Sequence, residues 1–84
     1  MGKYEKLILK ILSGQSDTNI LFDDLCHILQ GSGFVLRIRG SHHVFRKEGI
    51  EEKINLQREG NKAKPYQVRQ VRYLIVKYQL GCKL

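Results

Sequence analysis

The apolar positions of this chain change period twice. Tyr4, Leu7, Ile8, Ile11 and Leu12 recur at i, i+3, i+4, i+7 and i+8, one face of a helix that Ser13-Gly14 brings to an end. After the polar connector of residues 15–20, Phe22, Leu25, Cys26 and Leu29 share the face of a second helix over about residues 22–30. Asp23 and Asp24 fall in its first turn, where the positive end of the helix dipole favours acids, and Gly31-Ser32-Gly33 supplies the stop.

From Phe34 the period is two. Phe34, Leu36 and Ile38 alternate with Val35, Arg37 and Arg39, the pattern of a half-buried strand with arginines on its outer face. Gly40-Ser41 is a turn, residues 42–48 form a second strand, and Glu48-Gly49 turns again. A third strand over 52–57 puts Ile54 and Leu56 inward and Lys53, Asn55 and Gln57 outward. Residues 58–64, REGNKAK, read as a basic loop. Pro65 suits the first position of a closing helix over 65–79. Its inner face carries Val68, Val71, Leu74, Ile75 and Tyr78, and its outer side Arg69, Arg72 and Lys77.

The order α-α-β-β-β-α predicts a two-layer α+β domain. A three-stranded antiparallel sheet is covered on one face by the helices of 22–30 and 65–79 and open to solvent on the other. Arg37, Arg39, Lys53, Asn55 and Gln57 make that open face polar and basic. The helix of residues 3–13 must bury its apolar side on its own domain, by lengthening the core, or in a dimer face. The first is the simplest expectation.

At 84 residues the chain is expected to be one domain. No apolar run approaches the ~18 residues that a membrane helix needs. The first residues, MGKYEKLILKIL, interleave charge with apolar side chains instead of forming a signal-peptide core. These features predict a cytoplasmic protein with no membrane partner. Charge narrows the partners further. Lys plus Arg is 15 against 8 for Asp plus Glu, a net +7, which calls for a polyanion: nucleic acid first, then an acidic protein or anionic lipid. Cys26 and Cys82 form no CxxC and share no zinc spacing with the histidines, so reduced thiols and no metal are expected, with Cys26 a core residue.

The candidate chemistry lies in His42-His43. Neighbours on a strand point to opposite faces, so the pair cannot chelate one metal. His42 shares a side with Val44 and Arg46, His43 with Phe45 and Lys47. Val44 and Phe45 compete for burial. Phe45, the larger, gains more, which places His42 on the open basic face. A neutral imidazole beside a bound phosphodiester can take the proton of a ribose 2′-OH, and neighbouring cations can stabilise charge on the phosphate oxygens. A surface histidine that merely touches phosphate or an acidic partner would have the same sequence. For phosphate contacts the candidates are Arg37, Arg39, Lys53 and Arg58, with Lys47 and Lys62 behind them. Ser41 either caps the turn or touches phosphate.

Gly33-Phe34, Gly40-Ser41-His42, the aromatic Phe45, the turn glycine Gly49 and a basic loop into Pro65 and a closing helix together resemble the HicA toxin family over residues 20–80. These are mRNA interferases of toxin–antitoxin modules. The resemblance implies an α-β-β-β-α fold like that of double-stranded-RNA-binding domains. It also implies cleavage of mRNA without metal or cofactor, His42 as the catalytic residue, and a HicB-type antitoxin as the protein partner. The free toxin is expected to be monomeric. The helix of residues 3–13 is extra to shorter family members. No second histidine lies near the basic loop, so the leaving oxygen would take its proton from Lys, Arg, Tyr or water. His27 is expected to be a surface residue. The alternatives are a non-catalytic RNA-binding module and a degenerate toxin that binds only its partner.

Overall fold

The computed structural model describes residues 2–80. Its elements run α1 (Lys3–Ser13), α2 (Phe22–Gly31), β1 (Val35–Arg39), β2 (His42–Arg46), β3 (Ile54–Glu59), β4 (Lys62–Ala63) and α3 (Pro65–Tyr78). The four strands form one antiparallel sheet in chain order, β1-β2-β3-β4. The class is α+β, as the periodicity predicts, but the strand count is four. The expected loop of residues 58–64 instead extends β3 to Glu59, turns at Gly60-Asn61 and returns as β4.

Both tight hairpins are led by glycine. Gly40 (φ 59°) opens the two-residue loop between β1 and β2, and Gly60 (φ 63°) opens that between β3 and β4. A positive φ at the first loop position is what a type II′ hairpin requires, and glycine takes it without a Cβ clash.

The register fixes the two faces. Leu36 lies opposite Phe45, which lies opposite Ile54; Ile38 lies opposite His43, which lies opposite Leu56. Phe45, Ile54 and Leu56 are fully buried under the helices with Phe22, Leu25, Ile28 and Leu29 of α2 and Val68, Val71 and Leu74 of α3. Each such side chain contributes roughly 1.5–3 kcal/mol by leaving water. Ile38 has the expected inward parity yet is 61% exposed. It sits on the edge strand β1, one strand beyond the reach of Phe22, whose ring meets that of His43 edge-on at 4.9 Å.

α1 packs on its own domain through Ile8 and Ile11, while Tyr4 and Leu12, counted on its apolar face, remain exposed. Glu5 Oε2 accepts from the Gly2 backbone N–H at its start, and Gly14 closes it in the left-handed conformation. Arg72 secures its end. Expected on the outer side of α3, this guanidinium is instead half-buried, donating to the Ile11 carbonyl (3.0 Å) and to both oxygens of Asp17 (2.8 and 3.1 Å). Those hydrogen bonds hold the Asp17 carboxyl below its usual pKa.

α3 runs antiparallel to β3 along an edge that β4 leaves bare, since β4 pairs only with Arg58 and Glu59. Near its end, Lys77 and Tyr78 donate to the two carboxylate oxygens of Glu52 (2.7 and 2.6 Å), just before β3 begins. Lys77 first and then Tyr78 bring the Glu52 pKa down to about 2. Cys26 is buried, and that burial, with Asp23 near it, raises its thiol to about 11, which marks it as a core thiol. Cys82 lies outside the described residues.

Candidate active site

His42 is the first residue of β2, immediately after the Gly40-Ser41 loop. The register sets it between Arg39 and Gln57 in one row across the open face. Arg37, Val44 and Asn55 form the next row, and Val35 and Arg46 continue it. His42 therefore faces the open side and His43 the helices, as the burial of Phe45 requires.

The His42 ring is held. Its Nδ1 lies 3.1 Å from Asn55 Oδ1 across the β2–β3 pair. An amide oxygen accepts, so in the neutral ring this contact selects the tautomer with the proton on Nδ1 and the lone pair on Nε2, the form in which imidazole acts as a base. Beside it, Gln57 Nε2 donates to Ser41 Oγ at 3.2 Å and ties the loop to β3. The Ser41 hydroxyl is thus engaged with Gln57.

Two concavities meet on this face. A cleft of about 300 Å³ holds His42, Asn55 and Gln57 against Tyr66, Gln67 and Gln70 of α3, with Lys53 at one end. A larger groove of about 690 Å³ gathers Arg37, Arg39, Arg46 and Lys53 around Val35 and Val44. The larger groove contains no histidine. The reactive group is in the smaller cleft, and Lys53 lines both. Among the described residues, Arg37, Arg39, Arg46 and Lys53 make no ion pair; the basic side chains that do are Arg58, Arg72 and Lys77. Glu48 also lines the groove, one acid against these four cations, so the groove presents a net positive charge, the arrangement that attracts a polyanion.

The sequence-predicted cations divide between the two sides of the sheet. Arg37, Arg39 and Lys53 come together on the open face. Arg58 does not. It follows Ile54 and Leu56 in parity, turns to the helix side, pairs with Asp23 at 2.6 Å and lies 4.6 Å over the Phe22 ring. Lys47 shares the parity of Phe45, and its ammonium donates to the Ser32 carbonyl at the end of α2, leaving only its stem beside the groove. Lys62 is exposed on β4 but lines neither concavity. His27 is exposed on α2 and belongs to a separate pocket with Lys3, Tyr4 and Leu7. Among the described residues, no three His, Cys, Asp or Glu side chains gather as a metal-binding group.

Sequence reasoning passed over Arg46, Tyr66, Gln67 and Gln70. Arg46 was within reach, because it shares the parity of His42. Tyr66 and Gln70 are one helical turn apart on α3, a spacing that shows a common side but not that this side flanks the sheet. No family model, curated protein or solved structure matches this chain.

Proposed function

We propose that the chain is a ribonuclease of the HicA toxin type that cleaves RNA by internal attack of a ribose 2′-OH, with His42 as its general base. The observation that carries this is the His42 ring, fixed through Asn55 on a face whose nearby cations are unpaired. Nε2 accepts the 2′-OH proton, the 2′-oxygen attacks phosphorus, and Lys53, at the junction of cleft and groove, stabilises charge on the nonbridging oxygens. Arg37, Arg39 and Arg46 hold flanking phosphates. None of these roles requires a metal or cofactor.

The segment from α2 to α3, with β4 as a short addition, supports the double-stranded-RNA-binding-domain-like topology that the resemblance implies. The natural protein partner is a HicB-type antitoxin whose acidic surface covers the basic groove, and the compartment is the cytoplasm. No helix among the described residues is long and apolar enough to cross a membrane.

The test is incubation of the purified chain with an unstructured RNA in EDTA, beside His42→Ala and His27→Ala. His27 is the better control, since His43 packs on Phe22. Cleavage should persist in EDTA and in His27→Ala and fall by about 100-fold or more in His42→Ala. Intact RNA with retained binding in every tube would overturn catalysis in favour of an RNA-binding module. Intact RNA without RNA binding, but with capture of an acidic protein partner, would favour a degenerate toxin.

A further inference from the structure

A strand cleaved by internal attack needs two proton transfers, and His42 as base performs only the first. The second goes to the departing 5′-oxygen, and the cleft holds two side chains able to supply it, Lys53 and Tyr66. Their surroundings differ. Lys53 makes no side-chain hydrogen bond or ion pair among the described residues and borders both the cleft and the cationic groove. A free ammonium there suits the phosphate oxygens.

Tyr66 is held by a neighbour. It is the second residue of α3 and lines the same cleft as His42 and Asn55, with its side chain open to solvent. Gln67, fully buried, accepts from the Lys64 backbone N–H through Oε1 (3.3 Å). Its amide nitrogen is thereby turned to Tyr66 Oη, at 3.5 Å. That donor occupies a lone pair of the phenolic oxygen and leaves the O–H free to donate outward. It also stabilises the phenolate that remains once the proton has gone, as does the nearby charge of Lys53.

Resting on the ribonuclease reading, we infer that Tyr66 is the general acid, protonating the 5′-oxygen as the phosphorus–oxygen bond breaks, and that Gln67 positions it. The balance is complete. The 2′-OH proton passes to His42 Nε2, the 2′-oxygen–phosphorus bond forms, the phosphorus–5′-oxygen bond breaks, and the Tyr66 proton goes to that oxygen. The products are a 2′,3′-cyclic phosphate and a 5′-hydroxyl. Water then takes the proton from His42 and returns one to Tyr66, with no oxidant, reductant or metal consumed.

The experiment uses two RNAs of one sequence, chosen around a linkage the wild-type chain cuts. One is ordinary; the other carries sulfur in place of the 5′-bridging oxygen at that linkage, a leaving group that departs without protonation. Tyr66→Phe keeps the ring and removes only the hydroxyl. It should slow cleavage of the ordinary RNA about 100-fold and cut the sulfur-linked RNA at close to the wild-type rate. His42→Ala should be slow on both. Equal loss on both substrates in Tyr66→Phe, no loss on either, or the rescue pattern in Lys53→Ala instead would overturn the assignment of Tyr66. Wild-type rates on both substrates in His42→Ala would overturn His42 as the base, and no cleavage of any RNA by the unmodified chain would overturn the ribonuclease reading itself.

Discussion

His42 and His43 are consecutive on β2, yet one ring hydrogen-bonds to Asn55 in an open cleft while the other stands edge-on to Phe22 beneath α2. Alternation along the strand separates them. What each ring can do then depends on its neighbours. On the open side, the nearby cations Arg37, Arg39 and Lys53 make no ion pair among the described residues, and the imidazole is oriented but accessible. On the covered side, charges are neutralised at short range, and His43 Nδ1 is buried with no hydrogen-bond partner. The same side chain is a candidate base in one setting and a packing group in the other.

The sharpest way to break this comparison is to remove each ring in turn and measure cleavage and unfolding together. His42→Ala should lose about 10²–10⁴ in rate with its denaturation midpoint unchanged, because an exposed side chain with one hydrogen bond adds little to stability. His43→Ala should do the reverse, losing about 1–2 kcal/mol of stability through the missing ring contact and the space left beside Phe22. His43→Phe keeps the ring and drops the partnerless nitrogen, so it should hold or raise stability. Loss of cleavage in a fully stable His43→Ala would end the distinction.

The covered side depends on polar anchors as well as packing. Arg72→Ala strips both oxygens of Asp17, a carboxylate only 15% exposed, and frees the end of α1; unfolding should become easier by about 1–3 kcal/mol. The pH dependence follows from the carboxylates. Asp17 and Glu52 both have lowered pKa values in the folded chain, through hydrogen bonds from Arg72 and from Lys77 with Tyr78. A lowered carboxylate stabilises the fold fully above its unfolded value of roughly 4 and loses that contribution as pH falls through its folded value. Stability should therefore decline from about pH 4.5 towards about 2. Asp17→Asn and Glu52→Gln should each flatten the decline, and an unchanged acid profile in both would refute the two anchors.

Much of this division was legible in the chain. Periods of 3.6 and 2.0 located the helices and the first three strands, and the size of Phe45 relative to Val44 fixed which histidine faces out. β4 was hidden because Lys62-Ala63 is too short to show a period, although Gly60-Asn61 is a two-residue hairpin signal. That omission displaced Arg58. Read as loop, it had no parity; as part of β3, it must point where Ile54 and Leu56 point. The cleft wall was beyond the sequence for a different reason. Val68, Val71 and Leu74 show which side of α3 is buried, but not that a short β4 leaves the edge of β3 bare for Tyr66 and Gln70 to flank.

On the open face, Arg37, Arg39, Arg46 and Lys53 should each reveal themselves through salt. Replacing any one with Ala should weaken RNA binding and lower the slope of log affinity against log salt by about 0.7, the share of one phosphate contact on a single strand. An unchanged slope in all four would mean that the groove does not hold RNA.

Arg58→Ala carries the smallest expected effect and separates the two faces most directly. The residue has the same charge as those in the groove and lies in the same strand as Asn55 and Gln57. A count of basic residues would therefore give it the same weight. Its guanidinium, however, is on the helix side, between Asp23 and the Phe22 ring. The ion pair is largely exposed, at 47% and 66% for the two side chains, so its loss should change stability by only about 0.5 kcal/mol. The salt slope of RNA binding should match that of the unmodified chain, since Asp23 already compensates the charge. A drop in slope equal to that of Arg37→Ala would show that RNA reaches past the edge of the sheet to the helices, and parity would then no longer decide which cations bind.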